Sequence, residues 1–156
     1  MKIVIRPEYH SFDIKRLSFA YEKILTTTYM GGAKYEDAPL ITDCVTAVRW
    51  LLSVSSDYKF PFGYIGDLAN ILLEERARII PLTDAQIGDI IFFEKMSQRH
   101  KKYMITHIGL MISSCEFIHS SRAHNGAISR IDDPEYIHNI LDESYLPLAK
   151  DPRNNF

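Results

Sequence analysis

Cysteine is scarce in this 156-residue chain: there are two, Cys44 and Cys115, beside one tryptophan and seven glycines. One possible bridge is too little for a disulfide-stapled secreted scaffold, so a reducing compartment is expected. No apolar run reaches the length of a membrane-crossing helix. The start, "MKIVIRPEYH", has only a short apolar patch before Arg6 and Glu8, which is not a secretory signal. A cytoplasmic location follows as the expectation, with delivery outside the cell by a signal-independent route left open. Neither sign of charge is in excess: the net charge is −2, which gives no electrostatic case for nucleic acid or an anionic membrane as partner. CxxC and HxxxH pairs are missing, and with them the usual spacing of a structural zinc site. Gly31 and Gly32 are followed by no Lys-Ser/Thr, so they make no phosphate loop. Internal repeats and low-complexity segments are absent too.

What is present is the mix of one soluble globular domain, 46% apolar and 24% charged. We expect a single domain over residues 1–140 and a polar tail over residues 141–156. Apolar residues at helical spacing predict a helix within residues 11–28, with Ser11 as a candidate N-cap. A second helix follows Thr42 or Asp43 and carries Val45, Val48, Leu51 and Leu52 on one side. A short third helix is expected at residues 68–77. The period then changes. "IGDIIFFE", "MITHIGLMIS", "EFIHSS" and "GAISRI" are short isoleucine- and phenylalanine-rich runs between turn residues, the pattern of antiparallel strands. Helices first and strands after predict an α+β domain.

Cys44 heads the second helix, where partial positive charge and free N–H groups favour the reactive thiolate. A small buried filler is the competing reading, since cysteine is a common core residue. Nucleophilic chemistry also needs a base and a group to orient it. Of six histidines only His107 and His119 lie inside strand-like runs. His107 shares a face with Gly109 and Met111, and the small glycine would leave room beside its ring. Whether His119 joins it depends on the turn. A two-residue turn at Ser114 and Cys115 sends the two rings to opposite faces, whereas a three-residue turn over residues 112–114 puts them on one face. The alternative is a strand histidine satisfied by a backbone carbonyl. His107, Cys115, His119 and His124 also fall within 18 residues, which keeps a zinc site as a competitor. "RHKK" at residues 99–102 reads as a solvated loop.

Taken in order, three stretches resemble the NlpC-type family of papain-like cysteine peptidases. "DCVTAVRWLL" resembles its nucleophile helix, usually Asp-Cys-Ser-Gly and an apolar run. "AQIGDIIFFE" resembles its Pro-Gly-Asp-Leu-Val-Phe-Phe strand. "THIGLMISSCEFIHSS" resembles its histidine hairpin, with the usual twelve residues from base to orienting residue. "YMGG" resembles Tyr-x-Trp-Gly-Gly, one residue short and without the tryptophan.

The resemblance implies a papain-like domain whose N-terminal helices pack on a C-terminal antiparallel sheet. It implies a peptidase or amidase of small peptides, above all peptidoglycan-derived muropeptides, acting without metal or cofactor. Cys44 would attack the amide carbonyl, His107 would take the thiol proton, and His119 would orient His107. The oxyanion would be met by the Cys44 N–H and Tyr29. Asp43 matches the acidic residue before the nucleophile, while Val45 and Thr46 stand where the family's Ser-Gly helps bind a substrate amine. An acyltransferase, or a lipid ester or amide hydrolase, on the same fold is the alternative; a non-catalytic module would not need the intact trio. The helix start and an ion pair with protonated His107 should lower the Cys44 pKa and make it more reactive than Cys115 near pH 6.

Overall fold

A computed structural model describes residues 1–136; the expected tail and the last residues of the expected domain lie outside the described residues. In chain order the elements are β1 (Lys2–Pro7), α1 (Ile14–Ile24), β2 (Thr28–Tyr29), β3 (Ile41–Thr42), α2 (Cys44–Ser55), α3 (Ile65–Glu74), β4 (Ala77–Ile80), β5 (Ile90–Ser97), β6 (Lys102–Met111), β7 (Glu116–Ser121) and β8 (Asn125–Arg130). Six strands form one antiparallel sheet in the order β4-β1-β5-β6-β7-β8, and β2 pairs with β3 in a small parallel ladder.

The run "IIFF" of β5 explains how the sheet sits. Alternate side chains of a strand point to opposite faces, and here both faces are covered. Ile90 and Phe92 join Ile5, Ile108, Leu110 and Ile118 against Leu17, Ile24, Leu51, Leu52, Leu68 and Leu72 of the three helices. Ile91 and Phe93 join Val4, Met111 and Phe117 in a second cluster, closed by Ile131 and Tyr136. The α+β reading holds, with helices packed on an antiparallel sheet.

Besides the short β2 and β3, two strands of the large sheet break the expected order. β1 precedes every helix and lies between β4 and β5, and β4 takes Ala77 out of the expected third helix, which runs instead from Ile65 to Glu74. Both are short and pair only with distant sequence, so no local period announces them. An ion pair fixes β1 to the start of β5: Arg6 Nε and Nη2 donate to the Asp89 carboxylate at 2.8 and 3.0 Å. Asp89 is fully buried, and it also accepts the Gln86 N–H at 2.9 Å. The first helix is capped two residues later than expected, by Asp13 rather than Ser11, the carboxylate accepting the Arg16 N–H at 3.1 Å. At the far edge Gly126 of β8 passes so close to α1 that a Cβ there would lie 1.7 Å from the Ile24 carbonyl oxygen.

The helix that begins at Cys44 packs on β6 and β7. Beside it the β5–β6 ladder shifts register between Phe93 and Glu94, so that Phe93 faces His107 while Glu94 faces Ile105. An irregularity of this kind re-aims nearby side chains, and this one adjoins His107.

Candidate active site

The position of Cys44 is built by a reciprocal cap. Asp43 is the N-cap of α2, and its carboxylate accepts the Thr46 N–H at 2.7 Å and the Thr46 hydroxyl at 3.0 Å. The Thr46 hydroxyl oxygen in turn accepts the Asp43 N–H at 2.8 Å. Such a box satisfies helix-start N–H groups that would otherwise be orphaned. It seats Cys44 on the first helical residue, with the N–H groups of Ile108, Val45 and Cys44 itself directed at the sulfur. Ile108 is the residue after His107.

Here the expected charge state is corrected. Cys44 is fully enclosed, and burial, followed by the neighbouring Asp43 carboxylate, pushes its thiol pKa well up rather than down. Loss of water costs a thiolate more than the helix start and the three N–H groups return. His107 moves the opposite way: burial, then Lys95 and His124, pulls it down to about 3. His119 is also lowered, by burial and then by His107 and His124. Burial thus favours a neutral thiol and two neutral imidazoles over an ion pair.

The hairpin meets the parity condition with a different turn. Leu110 pairs with Ile118 and Met111 with Phe117, and the Ile112 N–H bonds the Glu116 carbonyl at 2.9 Å. Residues 113–115 therefore make a three-residue turn, one position later than expected. Continuing the register sets His119 across from Gly109, and His107 one diagonal step away on the same face. The rings meet edge to face, with His107 Nε2 2.7 Å from His119 Nδ1. Since Nε2 is engaged, Nδ1 is the His107 nitrogen left to accept a proton. The room expected beside Gly109 is taken: a Cβ there would lie 2.6 Å from Phe117 Cδ2. Phe93, Phe117 and Tyr136 wall the two histidines.

Two further groups reach this pair. His119 Nε2 lies 2.9 Å from Ser129 Oγ and 3.4 Å from the Tyr136 hydroxyl. Neither residue was singled out in the sequence. The available signal was the alternation of "GAISR", which sends Ala127 and Ser129 to one face of β8, the face of Phe117 and His119.

Tyr29 sits among Cys44, Asp43 and Arg122, whose guanidinium bonds its phenol; burial foremost raises the phenol pKa, so the hydroxyl keeps its proton and remains a donor. Val45 and Thr46 are buried at the wall of a cleft of about 400 Å³, which Asp43, Arg49, Phe62 and Tyr64 also line. The Arg49 guanidinium stacks 4.3 Å from the centre of the Phe62 ring and donates to the Pro61 carbonyl at 2.9 Å. Cys115 is a free, half-buried thiol in the hairpin turn, 3.7 Å from Arg130 Nη1. His124 pairs instead with Glu135, at 2.7 Å. Among the described residues no three His, Cys, Asp or Glu side chains are grouped to hold a metal ion, and no helix is long and apolar enough to cross a membrane.

A model of the NlpC/P60 family matches residues 27–143. No curated protein matches the chain. Among solved structures, that of NlpC1 from Trichomonas vaginalis is similar in fold, with a TM-score of 0.60 and 19% identity. The likeness covers 82% of this chain and 42% of that one, so the chain spans less than half the length of that structure.

Proposed function

The chain belongs to the NlpC/P60 family, cysteine peptidases and amidases on a papain-like fold, and from that premise we propose that it hydrolyses an amide bond of small muropeptides through Cys44, His107 and His119. The observation that carries this reading is the 2.7 Å contact between His107 Nε2 and His119 Nδ1, which leaves Nδ1 of His107 to serve as base. Because thiol and imidazole start neutral, the proton passes from Cys44 Sγ to His107 Nδ1 as sulfur attacks the carbonyl carbon. Charge develops as sulfur attacks and remains in the tetrahedral adduct, where the Cys44 N–H and the Tyr29 hydroxyl meet the oxyanion. Imidazolium then returns the proton to the leaving amine. Water, activated by the same nitrogen, releases the acid from the thioester.

Substrate recognition departs from the family pattern. The Thr46 hydroxyl is committed to the cap, and Val45 offers no polar group, so neither stands in for the serine that helps bind a substrate amine. An acyltransferase or lipid hydrolase is the second reading. The cleft beside α2 carries both charged and aromatic side chains, Lys34 and Glu36 beside Tyr35, Phe62 and Tyr64, so its lining alone does not choose between a peptide and an acyl chain. Incubation with a panel of muropeptides and lipid esters, with products read by mass spectrometry, separates the two. The proposal expects a new amine and a new acid from a muropeptide, absent with Cys44→Ala. Turnover of lipid esters alone would favour the second reading.

A further inference from the structure

His107, His119 and Ser129 step diagonally across β6, β7 and β8 on one face of the sheet, joined by contacts of 2.7 and 2.9 Å. Tyr136, from the 3-10 turn after β8, adds its hydroxyl 3.4 Å from the same His119 nitrogen and is hydrogen-bonded to Ser129 as well. A neutral imidazole carries one proton, so each ring donates from one nitrogen and accepts at the other. The row therefore has two self-consistent proton arrangements.

In the first, His107 Nε2–H donates to His119 Nδ1, and His119 Nε2–H donates to Ser129 Oγ. His107 Nδ1 then holds a lone pair. In the second every bond runs the other way: a hydroxyl donates to His119 Nε2, His119 Nδ1–H donates to His107 Nε2, and His107 Nδ1 carries the proton. Only the first can receive a proton from a thiol at Nδ1. His119 is fully buried, so water does not choose between them; its hydroxyl neighbours do. A phenol is a better donor and a poorer acceptor than an alcohol. With Tyr136 as its sole neighbour, His119 Nε2 would be an acceptor, the unproductive arrangement.

We infer that Ser129 is a positioning residue of the histidine pair: its oxygen accepts the His119 Nε2–H while its own O–H is donated to the Tyr136 oxygen, which holds His107 in the tautomer able to act as base. This rests on His107 being the base of the proposed reaction, and it adds what sets that base's proton. A wrong tautomer is costly: in the serine-protease triad, forcing one lowers kcat about 10⁴-fold. Loss of Ser129 biases the tautomer without forbidding it, so the expected drop is smaller, about tenfold, the worth of one hydrogen-bond preference.

The test is long-range proton–nitrogen NMR of the full chain labelled with ¹⁵N-histidine, together with steady-state kinetics on a muropeptide. In the wild type both His107 and His119 should be protonated at Nε2. Ser129→Ala should move the His119 proton to Nδ1 and lower kcat about tenfold with KM unchanged, and Ser129→Thr should restore both. A wild-type His119 protonated at Nδ1 would overturn the inference, as would a tautomer indifferent to Ser129→Ala. If no variant cleaves a muropeptide, the proposed activity fails, while the spectra still decide the tautomer.

Discussion

Thr46→Val removes one hydroxyl and keeps the branched shape of the side chain, so it isolates the cap that seats Cys44. The bond the hydroxyl donates, shared between the Asp43 carboxylate at 3.0 Å and the Asp43 carbonyl at 3.4 Å, disappears, and so does the one the hydroxyl oxygen receives from the Asp43 N–H at 2.8 Å. The bond from the Thr46 N–H to Asp43 at 2.7 Å survives. Both residues are buried, so the Asp43 N–H is left without water or partner. A lost bond costs about 1 kcal/mol and an orphaned buried donor about 1–3 kcal/mol more, for a total of about 2–4 kcal/mol. For a domain of this size that corresponds to a fall in Tm of roughly 5–15 °C. Thermal and urea unfolding give the number directly. If Thr46 serves the cap alone, KM for a muropeptide, measured well below the variant's Tm, stays at the wild-type value. A change within about 0.5 kcal/mol would refute the capping account. A large rise in KM would show that the hydroxyl touches substrate.

Gly126→Ala should destabilise the fold by at least about 3 kcal/mol, because the added carbon meets backbone at 1.7 Å and neither strand nor helix can yield; an unchanged urea midpoint would contradict the packing of β8 on α1. Cys115 should alkylate with iodoacetamide faster than Cys44 at pH 7, since Cys44 is fully enclosed and its thiol is held in the neutral form. Peptide mapping reads the ratio, which denaturant should erase; preferential labelling of Cys44 at pH 6 would bring back the thiolate–imidazolium pair. Stability should fall with acid. His107 takes up a proton at the ordinary 6.5 when unfolded but only near 3 when folded, so its contribution is complete above 6.5 and drains away as pH drops. Between pH 6.5 and 4.5 it accounts for roughly 2 kcal/mol. His107→Gln should flatten the pH dependence of the urea midpoint by that amount, and an equal slope in both proteins would refute it.

Local features of the site were legible where they rest on local chemistry. An aspartate before an apolar-periodic run is a helix start whatever the rest of the chain does, so Asp43 and Cys44 could be located from their neighbours. The face shared by His107 and His119 was legible only as a condition on turn length, because parity decides the face and one residue reverses it. The turn over residues 113–115 kept the parity while moving the register. β1 and β4 were hidden, their only partners lying far along the chain. So were Ser129 and Tyr136, which matter because of what they touch across strands. The charge state was out of reach for another reason. A helix start and a histidine are visible in sequence, but the burial that outweighs them belongs to the assembled fold.

The central claim is that Cys44 becomes acylated during turnover. Acid quenching in mid-reaction with a cleaved muropeptide, then intact-mass analysis and peptide mapping, tests it most directly. The account predicts an adduct with the mass of the acyl half of the substrate, confined to the peptide bearing Cys44 and lost in Cys44→Ala together with hydrolysis. Turnover that persists in Cys44→Ala, with no adduct on Cys44 in the wild type, would contradict it.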